Sequence, residues 1–157
     1  MPSQLVILPV IIPLLAAVVN MLVHRPRRTQ RQVDIAALIL NVVVAAVLLT
    51  SVYNGPGNTP DVLTSQMGNW PAPFGVSVVV DVFAATLLLV TACVFLGVYV
   101  FGLTQMPPRF SGGYFYTLVP MLLVGVNWAF IAGDVFNLFV SFEIMLLASY
   151  SLLTSGT

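Results

Sequence analysis

A single carboxylate lies in the middle of a long apolar segment near the end of the chain. The residues from Val135 to Leu153 are mostly apolar or small, and Glu143 is the ninth of them. A segment of this length can cross a bilayer as a helix. At 1.5 Å per residue, Glu143 would lie roughly 12 Å from its start, near the membrane centre. Inserting an ionised side chain there costs on the order of 3 kcal/mol or more, so we expect Glu143 to have a function.

The composition is that of an integral membrane protein. Of the 157 residues, 59% are hydrophobic and 6% are charged, whereas a soluble domain carries about 25% charged residues. All five basic residues are arginines and they balance five acids, so the net charge does not identify a partner. The one cysteine, Cys93, lies in an apolar run. A lone cysteine excludes a disulfide framework or a cysteine metal cluster within these residues, and we expect a small core side chain.

Five apolar segments predict transmembrane helices at about 5–23, 34–53, 82–103, 114–132 and 135–154. The first follows four residues without a basic leader, and no small-residue cleavage site follows it, so we expect a retained helix rather than a signal peptide. Pro9 and Pro13 are expected to kink it. Asn20 and Asn41 are expected to make helix–helix contacts. The fold class is therefore all-α, with residues 1–157 forming one transmembrane domain.

The placement of charges predicts the orientation of these helices. Four arginines fall in the stretch from His24 to Arg31, and Arg109 follows the third segment. The positive-inside rule places both stretches in the cytoplasm and the N-terminus outside. The positive-inside rule explains the basic stretch better than nucleic-acid binding does. A contact between these arginines and lipid phosphates is the lesser alternative. His24 is then a surface residue at the interface, and Asp34 is expected at the N-terminal end of the second helix, where the helix dipole favours a carboxylate.

The outer segment between helices 2 and 3 has a different pattern. Asn54–Pro60 has the composition of a turn. Strand-forming residues flank a Pro/Gly turn between Met67 and Val80, which predicts a short β-hairpin. Trp70 and Phe74 suit an interfacial aromatic belt. Asp61, Asp81 and Asp134 would also lie on this side, as helix-end or loop acids without a transport role.

The chemistry expected of Glu143 is proton transfer. On a helix it shares one stripe with four large apolar or aromatic side chains, namely Phe136, Phe139, Leu147 and Tyr150. A carboxylate in such surroundings can take up and release a proton, as in a proton or Na⁺ relay. The alternative is a glutamate that only joins helices through a hydrogen bond. A relay needs a second group, and the chain has no lysine, while Arg109 and His24 lie at the wrong depth. These residues would therefore supply one station of a pathway.

The stretch Phe136–Tyr150 (FNLFVSFEIMLLASY), together with Gly68–Val76 (GNWPAPFGV) and Val80–Asp81, closely resembles the D subunit of Mrp-type multisubunit Na⁺/H⁺ antiporters. That proton-conducting, antiporter-like family is related to the membrane subunits of respiratory complex I. The resemblance spans essentially the whole chain and matches only the N-terminal part of the longer family fold. It implies that the glutamate matching Glu143 is an essential residue of the proton pathway. In the family it works with a lysine on a later helix, which has no counterpart here.

We therefore expect a proton-translocating, multi-pass subunit of a cation/proton antiporter complex in the cell membrane, with Glu143 as the proton carrier. The resemblance implies a transporter subunit rather than an enzyme, and no cofactor. The expected partners are other subunits, protons, Na⁺ and the lipid bilayer, and no nucleic acid. Two alternatives remain open: a membrane-arm proton-pumping subunit of a respiratory NADH:quinone oxidoreductase, whose electron-transfer groups would lie in other subunits, and a structural assembly subunit.

Overall fold

The fold is all-α, with one small antiparallel sheet. The computed structural model describes residues 2–22, 27–55, 59–66, 75–105 and 114–154. A 3₁₀ helix (Pro2–Ile7) leads into α1 (Leu8–Leu22), followed by α2 (Arg27–Tyr53), β1 (Leu63–Gln66), β2 (Ser77–Val80), α3 (Val82–Gln105), α4 (Phe115–Ile131) and α5 (Val135–Thr154). Within these ranges four helices are long and apolar enough to cross a membrane: α1 with the end of the 3₁₀ helix, α2, α3 and α5. The apolar α4 is shorter, at 17 residues.

The second helix begins about two turns earlier than predicted. Arg27, Arg28 and Arg31 lie in its first turns rather than in a loop, and Asp34 is therefore inside the helix rather than at its end. The prediction placed the boundary where the apolar residues begin. Arginine and glutamine are good helix formers, however, and a helix can continue beyond the apolar part of its sequence. The predictions about His24 and Arg109 concern residues outside the described ranges.

Two prolines and two asparagines join α1 to α4. Pro13 has no N–H, so the carbonyl of Pro9, four residues before it, lacks its helical donor. The Asn127 amide of α4 donates to this carbonyl at 2.7 Å. Pro120 of α4 leaves the Tyr116 carbonyl without its donor in the same way, and the Asn20 amide of α1 donates to it at 2.8 Å. Each helix thus supplies the hydrogen bond that a proline removes from the other, as membrane-embedded backbone requires.

The four helices α1 to α4 share a core that follows one stripe of α2. The buried residues of α2 recur every three or four positions: Gln30, Asp34, Leu38, Asn41, Ala45, Leu48 and Val52. The part of this stripe near Tyr53 packs with α1, α3, α4 and both strands. The part near Leu38 packs against Tyr99, Tyr116 and Leu123. Asn41 donates towards the Pro9 carbonyl at 3.5 Å, a long contact between α2 and α1.

The predicted hairpin is present, although its first strand comes earlier than the sequence indicates. β1 pairs with β2 in antiparallel register, from Leu63 opposite Val80 to Gln66 opposite Ser77. The prediction started the hairpin at Met67; residues 67–74, including Trp70 and Phe74, lie outside the described part. β2 also forms a bridge with Ala132, between α4 and α5. The sheet therefore anchors the connection that leads into α5.

Cys93 is exposed on α3, which corrects the prediction of a core side chain. Its neighbour Ala92 is buried, so Ala92 rather than Cys93 faces the bundle in this part of α3. A small apolar side chain suits either face of a membrane helix, because lipid is as apolar as a protein core. Hydropathy alone therefore could not place it.

The α1–α4 connection predicts a coupling between Pro13 and Asn127. Asn127→Leu should lower the free energy of unfolding by about 1–3 kcal/mol, because it leaves the Pro9 carbonyl with only the long contact from Asn41. Pro13→Ala restores a backbone N–H to that carbonyl, so in this background Asn127→Leu should cost about 1 kcal/mol less. Reversible unfolding in mixed micelles measures both. An equal cost of Asn127→Leu in the two backgrounds would contradict the assignment.

Candidate functional site: an outward glutamate and a buried aspartate

Glu143 lies on the face of α5 that points away from the rest of the described structure. It is exposed, and so are the four other members of its predicted stripe. We call Phe136, Phe139, Glu143, Leu147 and Tyr150 the outer stripe of α5. The apolar members are 62–70% exposed. The described helices therefore position Glu143 but do not enclose it, and any group that exchanges a proton with it approaches from outside this bundle.

The opposite face of α5 buries small and polar side chains. Asn137, Ser141 and Ala148 are its buried residues. The Ser141 hydroxyl is fully buried and donates back to the Leu138 carbonyl at 2.6 Å. Such residues let two membrane helices approach closely. This face packs against α4, so its position determines the direction in which Glu143 points.

The helices α4 and α5 approach each other closely at Gly125. A Cβ atom added there would lie 2.9 Å from the backbone nitrogen of Met145 and 3.1 Å from its Cα. These are backbone atoms that cannot turn aside, so the helices can meet only if residue 125 is glycine. Met145 is two residues after Glu143, and the contact therefore fixes the part of α5 that carries the carboxylate.

The start of α5 is held by Asp134 and the hairpin. Asp134 Oδ1 accepts a hydrogen bond from the backbone N–H of Asn137 at 2.6 Å and so caps the helix. Its Oδ2 accepts one from the backbone N–H of Ser77 in β2 at 3.1 Å. Gly133 donates its N–H to the Ser77 carbonyl at 2.8 Å. The Asn137 side chain donates to the same carbonyl and accepts the Trp128 indole N–H. Asp81 similarly caps α3 through the Ala84 amide. Both acids are structural, as their predicted helix-end positions imply.

A second carboxylate, predicted from the sequence to lie at a helix end, is buried within the four-helix core. Asp34 is 1% exposed. Its Oδ1 accepts the Asn20 amide of α1 at 2.5 Å, and its Oδ2 accepts the Tyr99 hydroxyl of α3 at 2.6 Å. Gln30, one turn earlier on α2, donates to the Asn20 backbone carbonyl at 2.9 Å. We call Asn20, Gln30, Asp34 and Tyr99 the Asp34 cluster.

A signal for this cluster exists in the sequence. Asp34 lies in register with Leu38 and Asn41, three or four residues apart, on the stripe that α2 buries. Extending the helix through the preceding polar residues would have placed Asp34 on that inner face. It was missed because the arginines were interpreted as a loop. Asn20 was correctly predicted to bond another helix, and it bonds two.

In the described part of the chain, no group of three or more His, Cys, Asp or Glu side chains is placed to hold a metal ion. The two candidate acids also occupy separate places. Asp34 faces the interior formed by α1 to α4, whereas Glu143 faces outward from α5. The structure does not bring them together into one site.

Comparison with known proteins supports the resemblance. No protein-family model matches the chain. It is 36% identical over 156 residues to the D subunit of a probable K⁺/H⁺ antiporter of Rhizobium meliloti, a match that covers 99% of this chain and 29% of that protein. The D subunit of the Na⁺/H⁺ antiporter of Bacillus subtilis is 34% identical, over 98% of this chain and 30% of its own length. This chain is a relative of antiporter D subunits. It spans about 30% of the length of the relatives it matches.

Solved structures show the same relationship. A chain of the Mrp complex from a Dietzia species superposes with a TM-score of 0.83 at 31% identity, over 95% of this chain and 26% of that one. A chain of an archaeal membrane-bound sulfane sulfur reductase, a respiratory membrane complex, superposes with a TM-score of 0.81 at 24% identity, over 94% of this chain and 30% of that one. The second likeness shows a shared fold only. The predicted relationship to the Mrp-type D subunits is confirmed.

The close contact at Gly125 predicts that the packing of α4 against α5 is sensitive to an added methyl group. Gly125→Ala should destabilise the protein by about 1–3 kcal/mol, because the added methyl group meets the Met145 backbone. Gly97→Ala is the matched control, since nothing lies within 4 Å of a Cβ at that position. It should be neutral or stabilise α3 by up to about 1 kcal/mol. Unfolding in mixed micelles measures both, and equal effects would contradict the close contact.

Proposed function

We propose that this chain is a proton-translocating part of a multisubunit cation/proton antiporter and that Glu143 is its proton carrier. The observation that carries the proposal is the position of Glu143 halfway along a membrane helix, on its outward face. The helix has 20 residues, so Glu143 is roughly 12 Å from one end and 16 Å from the other. An ionisable group at this depth is costly unless it is used. Relatives named as antiporter subunits support the class of transport.

The outer stripe of α5 has the composition of a surface that meets protein around one functional group. Phe136, Phe139, Leu147 and Tyr150 are large and apolar, and Glu143 is the one charged member. A carboxylate facing hydrocarbon alone would be unfavourable, and intramembrane acids almost always face a bundle interior or a water-filled cavity. We infer that polypeptide outside these residues packs on the outer stripe and brings the group that exchanges a proton with Glu143.

The proton step itself needs only Glu143 and that partner. The ionised carboxylate takes a proton from one side, becomes a neutral acid, and releases it to the partner group on the other side. The charge it carries is removed while it is protonated, which lowers the cost of holding it within the bilayer. The described helices contribute by fixing α5 through the Gly125 contact and the Asp134 cap, which keep the carboxylate at one depth and in one direction.

The relatives are D subunits of a Na⁺/H⁺ antiporter and of a probable K⁺/H⁺ antiporter, so both Na⁺ and K⁺ are candidates for the exchanged cation. The membrane arm of a respiratory proton pump is the second candidate function, because a respiratory membrane complex contains the same fold. Proton flux in vesicles of the native membrane distinguishes the two. Flux that depends on Na⁺ or K⁺ and not on NADH supports the antiporter, whereas flux that requires NADH oxidation supports the redox pump.

Glu143→Gln tests the carrier role. The amide keeps the shape and hydrogen-bonding capacity of the side chain but does not titrate, so cation-driven proton flux in everted vesicles should fall by about a hundredfold or more. Assembly of the complex should be unchanged, because the amide keeps the size of the side chain and the apolar members of the outer stripe are untouched. Asp61→Asn is the control, since Asp61 lies in the segment before β1, away from Glu143, and its Oδ1 accepts the neighbouring Val62 backbone N–H. Loss of the complex with Glu143→Gln would instead favour a structural glutamate.

A further inference from the structure

The Asp34 cluster is a buried polar site that the proposed pathway through Glu143 does not use. Four helices contribute to it: α1 through Asn20, α2 through Gln30 and Asp34, α3 through Tyr99, and α4 through the Tyr116 carbonyl. A membrane protein could join four helices with neutral amides and hydroxyls alone. The use of a carboxylate in this position therefore asks for a further explanation.

Both groups that bond Asp34 are neutral, and the Tyr99 hydroxyl can change from donor to acceptor. When Asp34 is ionised, the Asn20 N–H and the Tyr99 O–H each donate to one of its oxygens, as the distances of 2.5 and 2.6 Å indicate. When Asp34 is protonated, its O–H needs an acceptor. The Tyr99 hydroxyl oxygen can accept it, while the Asn20 NH₂ group continues to donate to the Tyr116 carbonyl. A fixed cation such as arginine in either position would serve the ionised form alone.

The cluster lies close to the start of α2, at the end of the bundle that bears the arginines. Asp34 is the eighth residue of α2, roughly 10 Å from the start of that helix. Gln30 is 8% exposed and lies on the same face one turn nearer to that end. A cavity of about 10 Å³ lies beside this part of the core, lined by Asp34, Tyr99 and apolar side chains of α1, α2 and α4, and its exposed lining is apolar.

We propose that Asp34 and Tyr99 form a second proton-binding site, separate from Glu143, at the arginine-bearing end of the four-helix core. One proton adds to one Asp34 carboxylate oxygen, no other covalent bond changes, and the proton leaves by the reverse step. Among the described residues, the charged and titratable groups that interact with Tyr99 are Asp34, Tyr116 of α4 and Arg31 of α2. From α1 the group facing it is the neutral Asn20 amide. The binding step does not depend on the proposed role of Glu143.

Infrared difference spectroscopy of the intact native complex tests the site directly. The complex, prepared with isotope-labelled aspartate, should show an isotope-shifted carbonyl band of a protonated carboxylic acid that appears as the pH is lowered. Asp34→Asn should remove this band, and Glu143→Gln should retain it. Tyr99→Phe keeps the ring and removes one hydrogen bond to the carboxyl group, so the same band should remain and move to higher frequency.

A labelled band that does not change with pH, or that survives Asp34→Asn, overturns the inference. A band that responds to Na⁺ at constant pH rather than to pH also overturns it, because the site would then bind a cation. If Asp34→Asn does not assemble, the wild-type pH response and the Tyr99→Phe frequency shift still decide the question. Loss of flux in Glu143→Gln combined with a pH-independent Asp34 band would reject this site and leave the proposed carrier standing.

Measurements of proton flux test whether the Asp34 site takes part in transport. If the site feeds the pathway, Asp34→Asn in everted vesicles should lower proton flux about tenfold or more in an assembled complex. Asp61→Asn, the exposed-segment control, should leave flux unchanged. Unchanged flux in an assembled Asp34→Asn complex, together with absence of the labelled band in the wild type, would reduce Asp34 to a structural residue and contradict the proposal.

Discussion

The pair of hydrogen bonds between α1 and α4 is the constraint on which the rest of the bundle depends. In a bilayer an unpaired backbone carbonyl costs several kcal/mol, because no water can replace the missing donor. Pro13 and Pro120 each create one such carbonyl, and Asn127 and Asn20 each supply a donor from the opposite helix. The two helices can therefore adopt only a narrow range of relative positions. The helix α5 packs against α4, and α1 contributes the Asn20 side chain that donates to Asp34.

Asn20 connects this backbone arrangement to the buried acid. Its single NH₂ group donates both to the Tyr116 carbonyl freed by Pro120 and to Asp34. The helix connection and the Asp34 cluster thus share one side chain, and a change in one affects the other. Glu143 is arranged differently. Its helix is held by close packing at Gly125 and by a capped N-terminus, and the carboxylate itself is left out of the described contacts.

Much of the fold could be predicted from the sequence because membrane helices have a strong length and composition signal. The apolar helices, the presence of a short hairpin and the relationship to the D subunits of Mrp-type antiporters were all confirmed. The faces of the helices were harder to predict. Lipid and protein interior are equally apolar, so periodicity does not show which side is buried, as the exposed Cys93 illustrates.

Small and polar residues are the better guide to the buried face of a membrane helix. Asn137, Ser141 and Ala148 mark the packed face of α5 and leave Glu143 on the other. Asp34 was misplaced because the start of α2 was inferred from hydropathy alone.

Photocrosslinking from the outer stripe of α5 in the native membrane tests the central claim most directly. A photoreactive amino acid replaces Phe139 or Leu147, which flank Glu143 on the same face and are 64% and 62% exposed in the described structure. The buried position Leu123, at 0% exposure, reports crosslinks within the bundle as a reference. Our account predicts that both stripe positions form adducts with polypeptide outside these 157 residues. Adducts with lipid alone at both positions would mean that Glu143 faces hydrocarbon without a protein partner and would contradict its role as a proton carrier.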